Sequence, residues 1–247
     1  MAVLATLLMA GCAATGSPVH RLSSRGAHRN RPAVEFTVRR TVVLGYSVQR
    51  RPIIAVELGD PDSPRRVLVV GCIHGSEPAG IAIATVLARG LPPAQADLWI
   101  VPDLNPDGVA AGTRQNARGV DLNRNFPFHW RPLGPLGSLF YAGPRPLSEP
   151  ESQLAARLIL RIRPVLAIWY HQALNAVDDS QGPRAAERRY ASLTGMREVR
   201  LIDYPGSAVG WEDATIGTTA FVVELPAGSL SRAGLRRHVA SLDVLLH

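Results

Sequence analysis

The sequence contains no lysine, so its 27 basic side chains are all arginines. Cysteine is scarce as well: Cys12 and Cys72 are the only two, and they lie in dissimilar segments, so we expect no structural disulfide. Cys72 follows an apolar run and is predicted to be a small buried side chain. The apolar stretch from Met1 to Ala10 is far shorter than the roughly 20 residues that a membrane-spanning helix needs. These absences argue against a disulfide-stapled scaffold and against a membrane span at this end of the chain.

Residues 1–32 differ in composition from the rest of the chain. Residues 1–12 end in Gly11-Cys12, which is typical of a lipoprotein signal in which Cys12 is acylated. We therefore expect an exported protein, anchored to the membrane through lipidated Cys12 at the cell surface or in the periplasm. A plain secretory signal, which leaves a secreted product, and a mis-assigned start codon are the alternatives. Residues 13–32 are predicted to form a flexible basic linker with four arginines: Arg21, Arg25, Arg29 and Arg31.

Residues 33–247 are predicted to form one catalytic domain. The linker carries four of the seven net positive charges, which leaves about +3 for this part, so nucleic-acid binding is not expected. A chain of this length, with 46% hydrophobic residues, can bury one sizeable core and is rather short for two. The sequence does not indicate an oligomeric state.

Apolar runs suited to β-strands alternate with helical patterns along this part. This alternation favours an α/β fold with a largely parallel central sheet flanked by helices. The predicted strands are Val34 to Val38, Ile53 to Leu58, Val67 to Val70, Leu98 to Val101, Val165 to Tyr170, Val199 to Ile202 and Ala220 to Leu225.

Two helices and one loop have clear boundary signals. Pro78 suits the first turn of a helix that ends at Arg89, before Gly90. Ser148-Glu149-Pro150-Glu151 has the form of a capping box, which predicts a helix with Ser148 as N-cap that ends near Arg163. Proline and glycine crowd residues 126–146, which predicts an irregular surface loop.

Three segments carry histidine and glutamate side chains that suit a catalytic zinc ion. His74 and Glu77 are three residues apart on a loop of small residues, so both can reach one ion. His171 and Glu224 each close an apolar run and are expected at strand ends. A catalytic zinc takes three protein ligands and keeps one position for water, and a further carboxylate can then act as base. The four residues therefore predict a metal-dependent hydrolase.

Asn123-Arg124 predicts a binding site for a carboxylate. A planar guanidinium beside an amide can grip both oxygens of a free carboxyl terminus. Such a clamp is expected in an exopeptidase and not in an endopeptidase.

The order of these motifs resembles the zinc carboxypeptidase family, and more closely its short bacterial branch. The likeness extends from about Val34 to Gly228 and includes Asn105-Pro106-Asp107-Gly108. It implies a single α/β domain with a mixed sheet of about eight strands and one zinc ion per chain. Zinc is expected to be bound by His74, Glu77 and His171.

The resemblance also implies roles for the other motif residues. Glu224 is expected to act as general base and then general acid, and Arg114 to polarise the scissile carbonyl, with Arg118 as the competing candidate. The remaining assignments are Asp121 as the acid that orients a zinc-bound histidine, Asn123 and Arg124 as ligands of the substrate carboxylate, and Tyr204 as a mobile lid over the substrate.

The expected function is hydrolysis of the γ-D-glutamyl–diaminopimelate bond in murein peptides, because this branch of the family and an exported location both point to the cell wall. The alternatives are a carboxypeptidase for ordinary peptides, an N-acyl amino-acid deacylase, and a wall-associated lipoprotein that binds without catalysis. The last has less support, because binding a carboxylate needs no general base. Glu212 and Asp213 are the only acids between Tyr204 and Glu224, and either pair with a substrate ammonium or form a charged surface rim.

Overall fold

The computed structural model describes residues 38–178, 184–201 and 204–246. The predicted signal segment 1–12 with Cys12, the linker 13–32, and most of the first predicted strand lie outside these ranges. No helix in the described part is long and apolar enough to cross a membrane.

Seven strands form one mixed sheet. The spatial order is β1-β2-β4-β3-β5-β6, and β7 also pairs with β5. The β1–β2 and β2–β4 pairs are antiparallel, whereas the β3–β4, β3–β5, β5–β6 and β5–β7 pairs are parallel. The mostly parallel sheet confirms the predicted fold class. The strands are β1 (Val38–Tyr46), β2 (Pro52–Gly59), β3 (Arg66–Val70), β4 (Asp97–Val101), β5 (Leu166–Asp178), β6 (Arg197–Val199) and β7 (Thr219–Pro226).

The described residues also form six α-helices and one 3-10 turn. They cover both faces of the sheet, so the two sets of side chains from a central strand are buried in separate clusters. Val67 and Val69 of β3 pack in one cluster, and Leu68 and Val70 pack in the other. Burial on both faces explains the continuous apolar run of this strand. The helices are α1 (Ala79–Arg89), α2 (Pro106–Ala111), α3 (Pro150–Ile162), α4 (Ala185–Thr194), α5 (Ala208–Ile216) and α6 (Arg232–Leu246), and the 3-10 turn is Leu122–Arg124.

The predicted capping box before α3 is wrong. The N-cap is Glu149 rather than Ser148, and no side chain caps the helix there. Ser148 Oγ instead donates to Glu149 Oε1 and accepts a hydrogen bond from Asn125 Nδ2 at 2.9 Å. Asn125 Oδ1 also accepts from the Glu149 N–H. Asn125, which is distant in sequence, therefore binds the Ser148 hydroxyl and the Glu149 N–H in place of a local cap.

Two predicted strands differ from the observed ones in their bounds. The strand predicted at 199–202 is β6, which ends at Val199. Of the strand predicted at 34–38 only Val38 is described, and it belongs to β1, which continues to Tyr46. Both are edge strands with few buried residues, so no strong apolar run marks them. The predicted helix from Pro78 corresponds to α1, and residues 126–146 form no helix or strand, as predicted.

Parallel pairing of β3, β5 and β7 places their carboxyl ends at one edge of the sheet. Ligands of open α/β sheets bind outside such an edge. The loop after β3 carries His74 and Glu77, and β5 and β7 carry His171 and Glu224, so this edge gathers the predicted catalytic residues.

Candidate metal centre and catalytic cavity

Two imidazoles and one carboxylate converge at the carboxyl edge of the sheet. His74 Nδ1 lies 2.9 Å from Glu77 Oε2, and His171 Nδ1 lies 3.1 Å from the same oxygen and 3.1 Å from His74 Nδ1. Tetrahedral zinc with bonds of about 2.0–2.1 Å places its ligand atoms about 3.3 Å apart. The three groups therefore fit one zinc ion with little adjustment, and they form the metal site of the described chain.

Asp121 sets the tautomer of His74. Its Oδ1 atom lies 3.0 Å from His74 Nε2, and the buried carboxylate accepts the proton of that nitrogen. A neutral His74 that donates its Nε2 proton to this carboxylate has no proton on Nδ1, as metal binding requires. Asp121 also precedes the 3-10 turn, where Oδ1 accepts the Asn123 N–H at 3.0 Å. One acid thus orients a metal ligand and starts the turn that carries Asn123 and Arg124.

Arg114 joins this network from the opposite side. Its Nη1 donates to Glu77 Oε1 at 2.9 Å, and its Nε donates to Asp121 Oδ2 at 2.9 Å. The guanidinium therefore lies at the metal centre and lines the cavity. Arg118 does not line the cavity; its side chain is 57% exposed and lies 3.6 Å from Glu149. Of the two competing arginines, Arg114 is the one beside the metal ligands.

The network keeps its acids ionised and one of its imidazoles neutral. Burial by itself raises the pKa of Glu77 and of Asp121, but contacts with the histidines, and for Asp121 also with Arg114, outweigh burial and hold both pKa values below the usual range. Burial lowers the pKa of His171 below its ordinary value. Ionised carboxylates and neutral imidazoles are the forms that bind a metal ion.

Glu224 is held beside His171 by strand pairing. The two residues are direct partners in the parallel register of β5 and β7. Glu224 lines the same cavity, and its Oε2 atom is buried but accepts no hydrogen bond from any described residue. A carboxylate oxygen with no protein donor is suited to receive a proton from a water molecule or substrate.

Arg124 is a buried cation that faces the cavity. It is only 4% exposed, and its Nη1 donates to the carbonyl oxygen of Asn123 at 2.7 Å. Burial lowers the pKa of Arg124, although an arginine remains protonated in proteins. Tyr204 stacks on its guanidinium at 4.2 Å and Phe140 at 5.4 Å. A buried charge of this kind is best stabilised by an anionic ligand.

Asn123 is oriented by the helix that follows the lid segment. Its Oδ1 atom accepts the N–H of Ala208, the first residue of α5, at 2.9 Å. Because the acceptor is engaged by the protein, the amide donors of Asn123 are the part available to a substrate carboxylate. Tyr204 is 44% exposed at the rim of the cavity, a position suited to closing over a ligand.

The cavity has a volume of about 280 Å³ and extends away from the metal centre between β5, β7 and α5. Asp213 of α5 lines it, but its neighbour Glu212 does not. Glu212 is fully buried and accepts the indole N–H of Trp169 at 3.0 Å. The expectation that both acids face a substrate or form a surface rim is therefore wrong for Glu212.

Phe140 and Gln172 are among the cavity residues that the sequence did not predict. Phe140 contacts the guanidinium groups of both Arg114 and Arg124 at 5.4 Å, and Gln172 lines the cavity next to His171. Phe140 lies in the proline- and glycine-rich loop, where no periodic pattern predicts which side chain turns inward. Gln172 had one available signal, its position immediately after a predicted metal ligand.

The arrangement has the chemistry of a metal-dependent exopeptidase: a place for an activated water molecule, a base beside it and a clamp for a terminal carboxylate. Residues 36–177 match the zinc carboxypeptidase family. The chain belongs to this family and is a zinc-dependent hydrolase.

Several known proteins are similar to the chain over most of its length. It is 34% identical over 191 residues to murein peptide amidase A of Escherichia coli K12, a match that covers 72% of this chain and 78% of that protein. The crystal structure of murein-tripeptide amidase MpaA from Escherichia coli O157 superimposes with a TM-score of 0.71 and 27% identity, over 88% of this chain and 97% of that one. Carboxypeptidase A from Helicoverpa armigera has the same fold, with a TM-score of 0.74 at 20% identity, over 84% of this chain and 67% of that one.

Proposed function

We propose that this zinc peptidase hydrolyses the bond between γ-D-glutamate and diaminopimelate in murein peptides. Diaminopimelate offers the free carboxylate that the clamp requires and carries an ammonium at the far end of its side chain. The observation that carries the proposal is Asp213, an acid in the same cavity as Arg124 and the metal ligands. The similarity to murein peptide amidase A supports the same substrate class.

In the proposed reaction, one group of residues binds the metal and another binds the substrate carboxylate. Zinc, bound by His74, Glu77 and His171, would act as a Lewis acid and lower the pKa of the attacking water. Asn123 and Arg124 bind the terminal carboxylate and so align the preceding amide bond.

Arg114 stabilises the developing charge, and Glu224 transfers the protons. Arg114 donates to the scissile carbonyl oxygen and stabilises the negative charge that develops there. Glu224 takes a proton from the attacking water and delivers it to the leaving amine. Tyr204 covers the bound substrate and excludes solvent.

Asp213→Asn tests the substrate assignment. The variant should lose about tenfold in kcat/KM for L-Ala-γ-D-Glu-diaminopimelate, which corresponds to about 1.4 kcal/mol for a partly exposed charge pair. The corresponding peptide that ends in alanine should be cleaved with unchanged kcat/KM. Glu212→Gln is the matched control, since Glu212 lies outside the cavity. Equal losses on both substrates would contradict the role of Asp213, and a preference of the native enzyme for large apolar termini would favour an ordinary carboxypeptidase.

We also propose that the protein is exported and anchored through Cys12, with residues 13–32 as a linker. The Gly11-Cys12 pattern after an apolar stretch supports this location. Cys12→Ser should move the protein from the membrane fraction to the soluble exported fraction and abolish incorporation of a labelled fatty acid. Retention of the label in this variant would contradict lipidation at Cys12.

A further inference from the structure

We propose that Gln172 is a positioning residue that holds the metal-ligating loop and the strand of the general base in register. It follows the metal ligand His171 on β5. Its Oε1 atom accepts the N–H of Ala79 at 2.9 Å, and its Nε2 donates to the carbonyl oxygens of Pro226 and Gly228, both at 2.8 Å. Its own backbone N–H donates to Glu77 Oε2 at 3.2 Å.

These contacts join the three segments that carry the reaction. Ala79 begins α1 two residues after the metal ligand Glu77. Pro226 ends β7 two residues after Glu224. A single amide on β5 therefore links the position of Glu77 to that of Glu224 at the level of His171.

The hydrogen bond from Ala79 to Gln172 serves the first turn of α1. The N-cap of this helix is Pro78, which makes no side-chain capping bond, and the first N–H groups of a helix have no partner within it. Gln172 Oε1 supplies the missing acceptor from another strand. It thereby fixes the end of the helix that continues directly from Glu77.

Gln172 contacts β7 at the point where the regular pairing of β5 with β7 ends. The regular register of β5 with β7 breaks after Ala173, which is paired with Pro226. Gln172 binds the carbonyl of Pro226 at this point and the carbonyl of Gly228, which lies beyond the end of β7. The side chain thus secures the exit of β7, next to the residue that must stay close to the metal centre.

The side chain of Gln172 uses its amide oxygen and both amide hydrogens in these contacts. An amide has one acceptor and two donor hydrogens, whereas an ionised carboxylate only accepts. Gln172→Glu therefore keeps a partner for Ala79 but loses both bonds to the end of β7 and faces two carbonyl oxygens. Gln172→Met has similar length and removes all three bonds. The two variants separate the link to the metal loop from the link to the general base.

The experiment measures zinc affinity by chelator competition, kcat and KM on any peptide that the native enzyme cleaves, and thermal unfolding of each variant. Partners of metal ligands typically contribute about 10- to 100-fold to metal affinity or activity. Gln172→Met should lose about tenfold or more in both zinc affinity and kcat. Gln172→Glu should lose a similar factor in kcat with zinc affinity within about threefold of the native value, and KM should change little in either. The zinc measurement needs no substrate, so its result is independent of the murein proposal.

Gln153→Met is the matched control. Gln153 also donates from its amide to a backbone carbonyl, that of Leu147 at 2.9 Å, but it lies on α3 and does not line the cavity. This variant should keep native zinc affinity and kcat. The proposal is overturned if Gln172→Met behaves like Gln153→Met, or if its losses only equal the fraction of protein unfolded at the assay temperature. Gln172→Glu and Gln172→Met could also lose zinc affinity equally. That result would overturn the claim that the bond to Ala79 supports zinc binding while the bonds to Pro226 and Gly228 support the general base.

Discussion

Glu224 differs from the other carboxylates of the centre in having a buried oxygen with no donor among the described residues. Glu77 and Asp121, in contrast, are each bound by a histidine and by Arg114. A carboxylate committed to such contacts stays ionised and fixed, whereas one with an open acceptor can take up and release a proton. This difference in geometry supports the proposed role of Glu224 as the base and of the other two acids as supporting groups.

Glu224→Gln should therefore abolish turnover without releasing the metal. The amide keeps the size of the side chain but cannot exchange a proton, so kcat should fall about 10²- to 10⁴-fold. Kinetic assays together with metal analysis of the purified variant check this expectation. A kcat within about tenfold of the native value, at full zinc occupancy, would remove Glu224 from the role of base.

Glu212 should make stability depend on pH. Burial raises the pKa of Glu212 to about 8 despite the hydrogen bond from Trp169, compared with 4.5 for an ordinary glutamate. Between these values the folded chain retains a proton that the unfolded chain releases, so the free energy of unfolding falls as the pH rises from about 4.5 to about 8. The decrease is at most about 1.4 kcal/mol per pH unit from this group.

Glu212→Gln removes this titration while keeping an acceptor for Trp169. The variant should match the native protein near pH 5 and exceed its unfolding temperature increasingly up to pH 8. Glu198→Gln is the control, because Glu198 is an exposed acid on β6 whose side chain is 43% accessible. A constant difference between Glu212→Gln and the native protein across this range would contradict a buried protonated Glu212.

At the scale of elements, the loop between β3 and α1 depends on close contact with α2. A Cβ atom at Gly75 would lie 1.9 Å from the backbone carbon of Gly108 and 2.2 Å from the nitrogen of Val109. Both neighbours are backbone atoms that cannot rotate away. The loop must therefore shift if a side chain is added at Gly75.

Gly75→Ala should lower zinc affinity by about tenfold or more, because the shift displaces both ligands of this loop, and it should also lower the unfolding temperature. Gly234→Ala in α6 is the control, since its new Cβ atom would lie 3.4 Å from Ser231 Oγ and 3.9 Å from Leu230 Cδ2, which are tolerable contacts with flexible side chains. Chelator competition and thermal unfolding check the two variants. Native zinc affinity in Gly75→Ala would show that the contact with α2 does not position the loop.

The second glycine with a clear steric reason is Gly206, which follows the lid residue Tyr204. Its φ is +79°, and a Cβ atom there would lie 2.0 Å from the carbonyl oxygen of Arg124. Its carbonyl also accepts the N–H of Phe126 at 3.0 Å. The segment that carries the lid is thus packed directly on the segment that carries the clamp, which couples the two parts of the substrate site.

For the whole molecule, zinc joins segments that are distant along the chain. His74 and Glu77 precede α1, whereas His171 lies about 95 residues later on β5. Because these ligands meet only in the folded state, zinc should bind the folded chain much more tightly than the unfolded chain. The metal therefore adds to the stability of the entire fold.

Removing zinc should lower the unfolding temperature. Free zinc at 100 times its dissociation constant stabilises the folded state by about 2.7 kcal/mol, which corresponds to a shift of about 5–10 °C for a domain of this size. Glu224→Gln should show the same shift, and His171→Ala should show none. Metal analysis should find about one zinc per chain. A chelator-treated protein with unchanged unfolding temperature and activity would contradict the zinc assignment.

The strands with side chains buried on both faces were predicted best, because such burial leaves a continuous apolar run. β2, β3, β4 and β7 lie close to their predicted positions, whereas β5 continues to Asp178, eight residues beyond its predicted end, and β1 and β6 lie mostly outside the predicted ranges. An edge strand is stabilised by backbone hydrogen bonds with little side-chain burial, so its sequence carries a weak signal. The false capping box has a similar origin, because Ser148 is engaged by Asn125, which lies 23 residues away.

The sequence by itself determined the α/β fold class and indicated the residues that could hold the metal, because these depend on residue type, local periodicity and order along the chain. The carboxylate clamp at Asn123 and Arg124 stays a prediction. Only the tertiary structure decided between neighbours that share the same local pattern. Successive residues on a helix point about 100° apart, so Glu212 enters the core while Asp213 faces the cavity. Arg114 reaches the metal ligands and Arg118 does not, and Gln172 connects three segments, because each outcome depends on which distant backbone packs against the side chain.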